Sequence, residues 1–344
     1  MSKNSRLLFI LLACARAAIF GADPTDVNPK AASVQGAAPG AKAVLWRDSG
    51  DTATLDLRYG SGGEAGQPVG PFIFIEEDAD GSNPKFDVRD QNGVKWKVKL
   101  GAEARPEVAA TRLVWAAGYF TTDDYFLPSL RVQDLPNHLH RGQQFVAPDG
   151  TVRNVRLKRS PDKKLGTWEW GSNPFEDTRE FNGLRVMMAL INDWDLKDVN
   201  NAIFEQKHPQ DPGKAEQIYV VSDLGATFGT TGFIMSVEGS RGNLEAYKRS
   251  KFISDATPEF VDFGVPSRPT LVETFNLPVF VHRLDLRWIG RHIPRADAKW
   301  LGGILSRLSP EQIRDAFRAA GYSPQEVNDF AAIVESRISA LNAL

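Results

Sequence analysis

The sequence predicts an α+β fold of two lobes, in which an antiparallel sheet lobe with one helix precedes a mostly helical C-terminal lobe. Strand-like segments joined by turns come first, one helical period interrupts them at Glu107, and helical periods dominate from Glu176 onward. With 42% hydrophobic and 24% charged residues, the 344-residue chain has enough apolar side chains for a substantial core. Its formal net charge of −2 gives no electrostatic support for binding nucleic acid.

Residues 1–22 are expected to form a signal peptide. Two cationic side chains precede the apolar residues 7–13, and this apolar stretch is too short to span a membrane. Residues 11–14 also resemble a bacterial lipoprotein box, in which Cys14, the only cysteine, would become the lipidated first residue. Lipidation at Cys14 and ordinary cleavage nearby are both open. Either one predicts an exported protein of the periplasm, the outer envelope or the medium, with no transmembrane span.

The rest of the chain is predicted to hold a linker and two lobes. Residues 23–42 are rich in Ala, Pro, Gly and Asp without any period, which is typical of a linker. We place a β-rich N-terminal lobe at residues 43–160 and a mostly helical C-terminal lobe at residues 161–344. The first strands of the N-terminal lobe are expected at Val44–Trp46 and Ala53–Tyr59.

Three strands of an antiparallel sheet are predicted next. Phe72–Ile75 is a short apolar strand, and Lys85–Arg89 alternates as a strand with one buried face does. Asn92-Gly93 is predicted to be a hairpin turn, because Asn-Gly readily adopts positive φ. In Val94–Leu100 apolar side chains alternate with three lysines, so this strand has one apolar and one cationic face.

A helix is predicted at Glu107–Gly118, where apolar residues recur at helical spacing and a glycine ends the pattern. Extended segments resume at Tyr125–Leu135 and Thr151–Lys158. Between them, His138 and His140 stand two residues apart and could share a metal ion. No third ligand is signalled nearby, and surface histidines are the commoner case, so this metal site is the weaker alternative.

Helical periods dominate the C-terminal lobe. Glu176–Asn192 is predicted to be a long helix, and Gln217–Val221 is a later β-type run. The chain closes with two helices that begin at Ser309-Pro310 and Ser323-Pro324. Each serine is followed three residues later by Gln or Glu, which is the pattern of a capping box.

The run Asp195-Leu196-Lys197-Asp198-Val199-Asn200 follows the long helix and is the most informative motif of the chain. It places an aspartate and an asparagine five positions apart around a lysine, which is the spacing of the catalytic loop in protein kinases. Ser222-Asp223-Leu224-Gly225 comes after the β-type run and reads like the metal-binding Asp-Phe-Gly turn, with Leu in place of Phe. Phosphoryl transfer needs positioned phosphates, bound metal ions and an oriented acceptor, which these residue types can supply.

Catalytic and metal-binding roles can be assigned to four of these residues. Asp195 would accept the proton of the attacking hydroxyl group, and Lys197 would offset charge on the transferring phosphoryl group. Asn200 and Asp223 would hold Mg²⁺ or Mn²⁺ through oxygen atoms, because such hard cations prefer oxygen ligands.

The nucleotide-binding roles fall to the N-terminal lobe. Lys99 would reach the α- and β-phosphates of ATP, with Lys97 as the alternative because both lie on the same face of the strand. Glu107 would pair with that lysine and fix its rotamer. The turn Gly81-Ser82-Asn83 would approach the phosphates with backbone N–H groups.

Each of these residues also has an ordinary structural interpretation. The lysines could form the solvated face of an exposed strand, and Glu107 could complement its helix dipole. Asp195, Asn200 and Asp223 could be turn residues, since Asp and Asn are common in turns. The order of strand lysine, helix glutamate and the two aspartate motifs favours the functional interpretation.

Two segments resemble motifs of a known superfamily. Gly81-Ser82-Asn83-Pro84-Lys85-Phe86 is similar to the Gly-x-Gln-Pro-Lys loop of HipA-type kinases, which implies a phosphate-binding loop. Asp223-Leu224-Gly225-Ala226-Thr227-Phe228-Gly229 is similar to the metal motif of secreted Golgi casein-kinase-type enzymes. The chain thus resembles a divergent member of the protein-kinase-like superfamily over residues 72–119 and 176–230, which implies a two-lobed kinase-like fold. Asp193-Trp194 stands where kinases have His-Arg.

The expected function is an exported, metal-dependent phosphotransferase that uses ATP and acts on a hydroxyl group of a protein or a small molecule. The main alternative is a catalytically inactive kinase-like envelope protein that binds a nucleotide, a polysaccharide or a partner. A third possibility is a metal-dependent hydrolase that uses Asp193, Asp195, Asp198 and Asp223.

Overall fold

The computed structural model describes residues 41–79, 83–159, 163–208, 211–230, 240–265 and 286–344. The expected signal peptide with Cys14, and residues 23–40 of the expected linker, lie outside the described residues. Gly81 and Ser82 of the expected phosphate turn lie outside them too. Within the described ranges, no helix combines the length and the apolar composition that a membrane crossing requires.

The described residues form twelve strands, numbered here in chain order. They are β1 (Lys42–Val44), β2 (Phe72–Asp78), β3 (Lys85–Arg89), β4 (Lys95–Lys99), β5 (Asp124–Gln133), β6 (Thr151–Arg159), β7 (Lys164–Gly166), β8 (Asn201–His208), β9 (Asp211–Val221), β10 (Ile253–Ala256), β11 (Phe260–Phe263) and β12 (Ile293–Pro294). The α-helices of the same residues are α1 (Ala104–Ala116), α2 (Arg179–Leu190), α3 (Leu244–Arg249), α4 (Arg295–Leu305), α5 (Pro310–Ala319) and α6 (Pro324–Asn342).

Strands β2 to β6 close into a barrel with the order β2-β3-β4-β6-β5. All pairs are antiparallel except β2 with β5. Alternation along β4 turns Trp96 and Val98 into the buried barrel interior and turns Lys95, Lys97 and Lys99 outward. Because β5 pairs with β6 on one side and β2 on the other, the expected antiparallel sheet closes on itself.

The C-terminal part is mainly helical and is built around a second, larger core. Helices α2, α4, α5 and α6 bury apolar side chains in one cluster to which α1 also contributes. Phe228 packs edge-on against the rings of Tyr247, Phe317 and Phe330, with centroids 5.3, 5.3 and 5.9 Å away. Two small sheets complete this part, with the orders β1-β9-β8-β7 and β10-β11-β12. The α+β class, with a sheet lobe before a mainly helical one, is therefore confirmed.

Both predicted capping boxes are present. The side chains of Ser309 and Ser323 accept hydrogen bonds from the backbone N–H groups of Gln312 and Glu326. The side chains of Gln312 and Glu326 in turn accept from the backbone N–H groups of the two serines. These reciprocal bonds satisfy backbone donors that the first helical turn leaves unpaired.

The predicted strand at Ala53–Tyr59 is wrong. Asp51 Oδ1 accepts the N–H of Ala53 at 3.0 Å, and Asp56 Oδ1 accepts the N–H of Arg58 at 2.8 Å. Such local bonds from aspartate curl the backbone and compete with sheet pairing. The alternation of residue types in this segment therefore reflects turns and not a strand.

Two helices begin at positions other than the sequence predicts. Helix α1 begins at Ala104, before Glu107, because Pro106 falls in the first turn, where its missing N–H is not needed. Helix α2 begins at Arg179, because the side chain of Thr178 caps its N-terminus. The earlier start of α1 places Glu107 inside the helix, one turn from its beginning.

Candidate active site

Lys99 lies at the C-terminal end of β4 and is held by three carboxylates. Its Nζ atom is 2.9 Å from Glu107 Oε2, 3.0 Å from Glu103 Oε2 and 3.0 Å from Asp223 Oδ1. Only 5% of Lys99 is exposed. Burial alone would lower the pKa of Lys99, but the charges of Asp223, Glu107 and Glu103 outweigh burial and raise the pKa. The ammonium group therefore stays charged.

A tight turn brings both glutamates to Lys99. Gly101 follows β4 with a φ of 87°, which glycine adopts without strain, and α1 starts soon afterwards at Ala104. Glu103 and Glu107 are four residues apart, so they lie on the same side of the first helical turns. The short sequence separation between Lys99 and Glu107 is therefore sufficient for the ion pair.

Glu107 is fully buried and is surrounded by cations from β4 and β6. Arg156 Nη2 lies 2.8 Å from both carboxylate oxygens, and Lys158 Nζ lies 3.4 Å from Oε1. Burial alone would raise the pKa of Glu107, but the positive charges of Arg156, Lys99 and Lys158 hold it below the ordinary value. Glu107 is therefore ionised, and its charge is compensated within the fold.

The hairpin of β8 and β9 places Asp223 beside the loop Asp195–Asn200, which is called the catalytic-type loop below. Asn201 and Val221 are opposite each other in the antiparallel pair, so Asn200 and Ser222 meet at its open end. The N–H and the hydroxyl group of Ser222 both donate to the carbonyl of Asn200 at 2.9 Å. Asp223 follows directly, so its position relative to Asn200 is fixed by strand register.

Asp223 is oriented by contacts that all use one of its oxygens. Oδ1 accepts hydrogen bonds from Lys99 Nζ at 3.0 Å and from the N–H of Gly225 at 3.2 Å. No described residue donates to Oδ2. Partial burial alone would raise the pKa of Asp223, but Lys99 and then Lys158 hold the pKa below its ordinary value. Asp223 is therefore an ionised carboxylate with one oxygen fixed and one available.

Asn200 is fixed in the same manner. Its amide nitrogen donates to the Asp195 carbonyl at 2.7 Å and lies 3.3 Å from Asp195 Oδ2. Because the nitrogen is committed to Asp195, the amide oxygen is the atom left for a ligand, and no described residue donates to it. Lys197 Nζ lies 3.5 Å from Asp195 Oδ1. The structure thus brings Asp195, Lys197 and Asn200 into one loop with direct contacts.

Asp193 supports the backbone of this loop with one of its carboxylate oxygens. Its Oδ1 accepts the N–H of Asp195 at 3.0 Å, and its buried Oδ2 has no hydrogen-bond partner among the described residues. Burial raises the pKa of Asp193 well above its ordinary range, and the neighbouring charge of Asp195 adds to this although the backbone bond opposes it. Burial therefore favours the neutral form of Asp193, whose contact within the described residues is with the backbone of the loop.

Lys97, the alternative nucleotide lysine, does not join the Lys99 cluster. It forms ion pairs with Asp78 of β2 and with Asp87 of β3, the latter at 3.5 Å. Asn83 lies in the turn between β2 and β3. The next residue, Pro84, accepts the N–H of Leu100 at 3.0 Å, so this turn adjoins the end of β4. Asn83 is therefore near the Lys99 end of the strand.

The structure reveals four cluster residues that the sequence reasoning missed: Glu103, Arg156, Lys158 and Arg241. Arg241 Nε lies 2.7 Å from Glu103 Oε1, so Glu103 joins Arg241 to Lys99. Lys158 also donates to the carbonyl of Ser222. Arg156 and Lys158 are two residues apart on one strand, so the sequence predicts that their side chains share a face. The spacing does not show which other residues that face contacts.

The donor chemistry fits a hard divalent cation. Carboxylate oxygens of Glu103, Glu107 and Asp223 all lie within 4.8 Å of one another, but all three carboxylates also contact the ammonium group of Lys99. Across the residues that the structure describes, this is the only group of three or more side chains that could share a metal in this way, and it includes neither histidine. Mg²⁺ and Mn²⁺ take carboxylate and amide oxygens, which Asp223 and Asn200 offer.

No protein-family model and no curated protein matches this sequence. The solved structures similar to it include three kinases. The proinflammatory kinase CtkA of Helicobacter pylori has 9% identity and a TM-score of 0.41, covering 79% of this chain and 95% of that chain. The Rio2 kinase of Chaetomium thermophilum, solved as an ADP/Mg²⁺-phosphoaspartate complex, has 10% identity and a TM-score of 0.32, covering 78% and 72%. A Golgi casein kinase has 12% identity and a TM-score of 0.28, covering 79% and 75%.

The contacts of this structure match two arrangements that the sequence predicts. Lys99 of a strand is paired with Glu107 of the following helix, and the hairpin of β8 and β9 brings the loop that ends at Asn200 next to Asp223.

Glu107→Gln tests whether the carboxylate of Glu107 stabilises the fold by compensating the buried charges of Lys99 and Arg156. We expect the free energy of unfolding to fall by about 3 kcal/mol or more, because Arg156 and Lys99 would lose a buried counter-charge. The pKa of Glu107 is lower in the folded protein than in the unfolded chain. The contribution of this charge to the free energy of unfolding is therefore complete above the ordinary pKa of ~4.3, and it is lost as the pH falls through the folded pKa. The difference between wild type and variant should therefore shrink in acid.

Urea unfolding of both proteins across a pH series measures this difference. The matched control is Glu205→Gln, which removes the charge of a partly exposed pair with Lys163 and should cost about 1 kcal/mol or less. Equal losses in the two variants would contradict the central role of Glu107.

Proposed function

We propose that this protein is a metal-dependent phosphotransferase that uses ATP and acts on a hydroxyl group of a protein or a small molecule. The observation that carries the proposal is the arrangement of Asn200 and Asp223. Each has one polar atom fixed by a protein contact and one oxygen that no described residue engages. Both residues follow or precede the open end of one hairpin, and Asp223 contacts the charged Lys99 through its other oxygen.

The chain's own residues divide the work of phosphoryl transfer. Asp223 and Asn200 would hold the metal ion, which neutralises phosphate charge when it is bound. Lys99 would contact the α- and β-phosphates, and Glu107 keeps it charged and in place. The resemblance of Gly81–Phe86 to the loop of HipA-type kinases supports a phosphate contact by this turn.

Asp195 is the candidate acceptor of the proton that the attacking hydroxyl group loses. Its backbone is held from two sides, by Asp193 through the N–H and by Asn200 through the carbonyl. Lys197 lies beside its carboxylate and would offset charge on the group being transferred. A fixed backbone positions a general base for transfer along a short hydrogen bond.

Lys99→Met tests the nucleotide site. We expect ATP-dependent phosphate transfer to fall by about 10²-fold or more, because the variant loses the cation that would bind the phosphates. Lys97→Met is the matched control, since Lys97 lies on the same face of β4 but pairs with Asp78 and Asp87.

The measurement follows radiolabelled phosphate into the protein, and ADP in solution, with Mg²⁺ and with Mn²⁺. Circular dichroism establishes that each variant folds, and Asp223→Asn provides a second variant of the site. A wild-type protein that neither binds ATP nor transfers phosphate with either metal would overturn the proposal. Binding without transfer would favour the inactive binding protein, and inorganic phosphate without transfer would favour a hydrolase.

Asp195→Asn tests the proton acceptor separately from binding. We expect transfer to fall by about 10²–10⁴-fold with ATP affinity nearly unchanged, because the amide keeps the shape of the side chain but is not a base. The matched control is Asp198→Asn in the same loop. Its amide oxygen can still accept the N–H of Trp170, which Asp198 Oδ1 accepts at 2.9 Å. Loss of transfer in both variants alike would count against a special role for Asp195.

We also propose that the protein is exported, on the basis of the cationic and apolar pattern in residues 1–22. Mass spectrometry of the mature N-terminus after expression in a bacterial host tests this. Expected outcomes are a lipidated Cys14 or a shorter chain cut near residue 17 or near residue 22. An intact N-terminus in the soluble cell fraction would rule out export.

A further inference from the structure

Lys158 is a second lysine of the charge cluster, and the proposed function gives it no role. It lies on β6, and its Nζ atom has partners on two other elements. One partner is Glu107 Oε1 of helix α1 at 3.4 Å, and the other is the backbone carbonyl of Ser222, to which Nζ donates a hydrogen bond. Lys158 therefore connects the barrel to the residue that precedes Asp223.

The compensation of Glu107 depends little on Lys158. The carboxylate of Glu107 has Arg156 Nη2 at 2.8 Å and Lys99 Nζ at 2.9 Å, and both are closer than Lys158. The side chain of Lys158 is also more exposed than that of Lys99, at 15% against 6%. A buried charge with two close partners gains less from a third that is more distant and better hydrated. The contact that only Lys158 provides is the one with Ser222.

Ser222 has all three of its polar groups fixed by hydrogen bonds. Its N–H and its hydroxyl group donate to the carbonyl of Asn200, each at 2.9 Å, and its own carbonyl accepts from Lys158. The first two bonds hold Ser222 to the neighbouring strand end, and the third holds it to the barrel. Because Asp223 is next in the chain, a displacement of Ser222 would also move the carboxylate of Asp223.

Lys99 and Lys158 hold different parts of this dipeptide. Lys99 contacts the carboxylate of Asp223, whereas Lys158 contacts the carbonyl of Ser222. Under the proposed function, Lys99 would exchange its contact with Asp223 for a phosphate oxygen when the nucleotide binds. The bond from Lys158 goes to the backbone, so it does not have to break in this exchange.

We infer that Lys158 is a positioning residue, which holds Asp223 in place for a divalent cation while Lys99 contacts the phosphates. Lys158 itself contacts neither the cation nor the nucleotide. The inference rests on the proposed function, because it concerns the same metal and nucleotide site. Residues that orient a metal ligand from behind typically contribute about 10–100-fold to the affinity for the metal.

The charge of Lys158 makes the direction of the effect informative. A cation close to Asp223 repels a divalent metal ion, so removal of the charge alone would tighten metal binding. Loss of the bond to Ser222 would weaken metal binding, because Asp223 would no longer be held to the barrel. We expect the loss of the bond to prevail, since Glu107 lies 3.4 Å from Lys158 and offsets part of its charge.

Calorimetric titration of the full chain with ATP, first in EDTA and then with Mn²⁺, tests the inference. The ratio of the two affinities measures the contribution of the metal ion to binding. In Lys158→Met we expect this ratio to fall about tenfold or more, with the affinity for metal-free ATP unchanged. In Lys99→Met we expect the affinity for metal-free ATP to fall instead, because Lys99 would contact the phosphates.

Further variants separate positioning from a general loss of structure. Lys158→Arg keeps a long cationic donor and should retain most of the Mn²⁺ effect. The matched control is Lys163→Met, which removes an exposed lysine that lies 2.9 Å from Glu205 and should leave both affinities unchanged. Circular dichroism establishes that each variant folds. If Lys158→Met does not fold, Lys158→Gln replaces it, because glutamine stays polar and is shorter by one bond.

Three results would overturn the inference. A Mn²⁺ effect that Lys158→Met leaves unchanged or enlarges overturns this inference alone. Equal weakening of ATP binding with and without Mn²⁺ also overturns it, because Lys158 would then act on the nucleotide directly. A wild-type protein that binds ATP equally well in EDTA and with Mn²⁺ overturns both the inference and the metal dependence of the proposed function.

Discussion

The fold of the candidate site depends on one buried carboxylate, that of Glu107. A buried ion is stable only when partners compensate its loss of hydration, and Glu107 has three cationic partners, Lys99, Arg156 and Lys158. These partners come from β4 and β6, so the carboxylate joins the barrel to helix α1. Lys99 and Lys158 also contact Asp223 and its preceding carbonyl, so the same charges join the barrel to the hairpin of the C-terminal part.

Some contacts of this cluster could be predicted from local sequence pattern. Those that depend on the register between distant strands could not. Lys99 and Glu107 could be paired from the sequence because a strand, a turn at Gly101 and a helix connect them within a few residues. Arg156 could not be assigned, because it meets the cluster only through the pairing of β4 with β6, in which it lies opposite Lys99. The false strand at Ala53–Tyr59 has a local cause instead, because aspartate side chains there bond to the nearby backbone.

The catalytic-type loop was visible in the sequence, but the segment that braces it was not. The indole N–H of Trp168 donates to the carbonyl of Val220 at 3.0 Å, shortly before Asp223. The backbone N–H of Trp170 donates to Asp198 within the loop. Residues 168–170 therefore hold both the strand that delivers Asp223 and the loop that delivers Asn200. In the sequence, tryptophan at these positions indicates only that the side chain is buried. The hydrogen-bond partners of the two residues are set by tertiary packing.

Under the proposed function, Glu103 would let Lys99 contact a phosphate without a large penalty. Suppose that Lys99 exchanged its contact with Asp223 for a phosphate oxygen. Without Glu103, its only remaining carboxylate would be that of Glu107, which Arg156 and Lys158 also share. Glu103 provides a second carboxylate at 3.0 Å, and its other oxygen is held by Arg241, whose guanidinium group lies 5.0 Å from the ring of Trp194. Lys99 would therefore keep two counter-charges, those of Glu103 and Glu107, if a phosphate replaced its contact with Asp223.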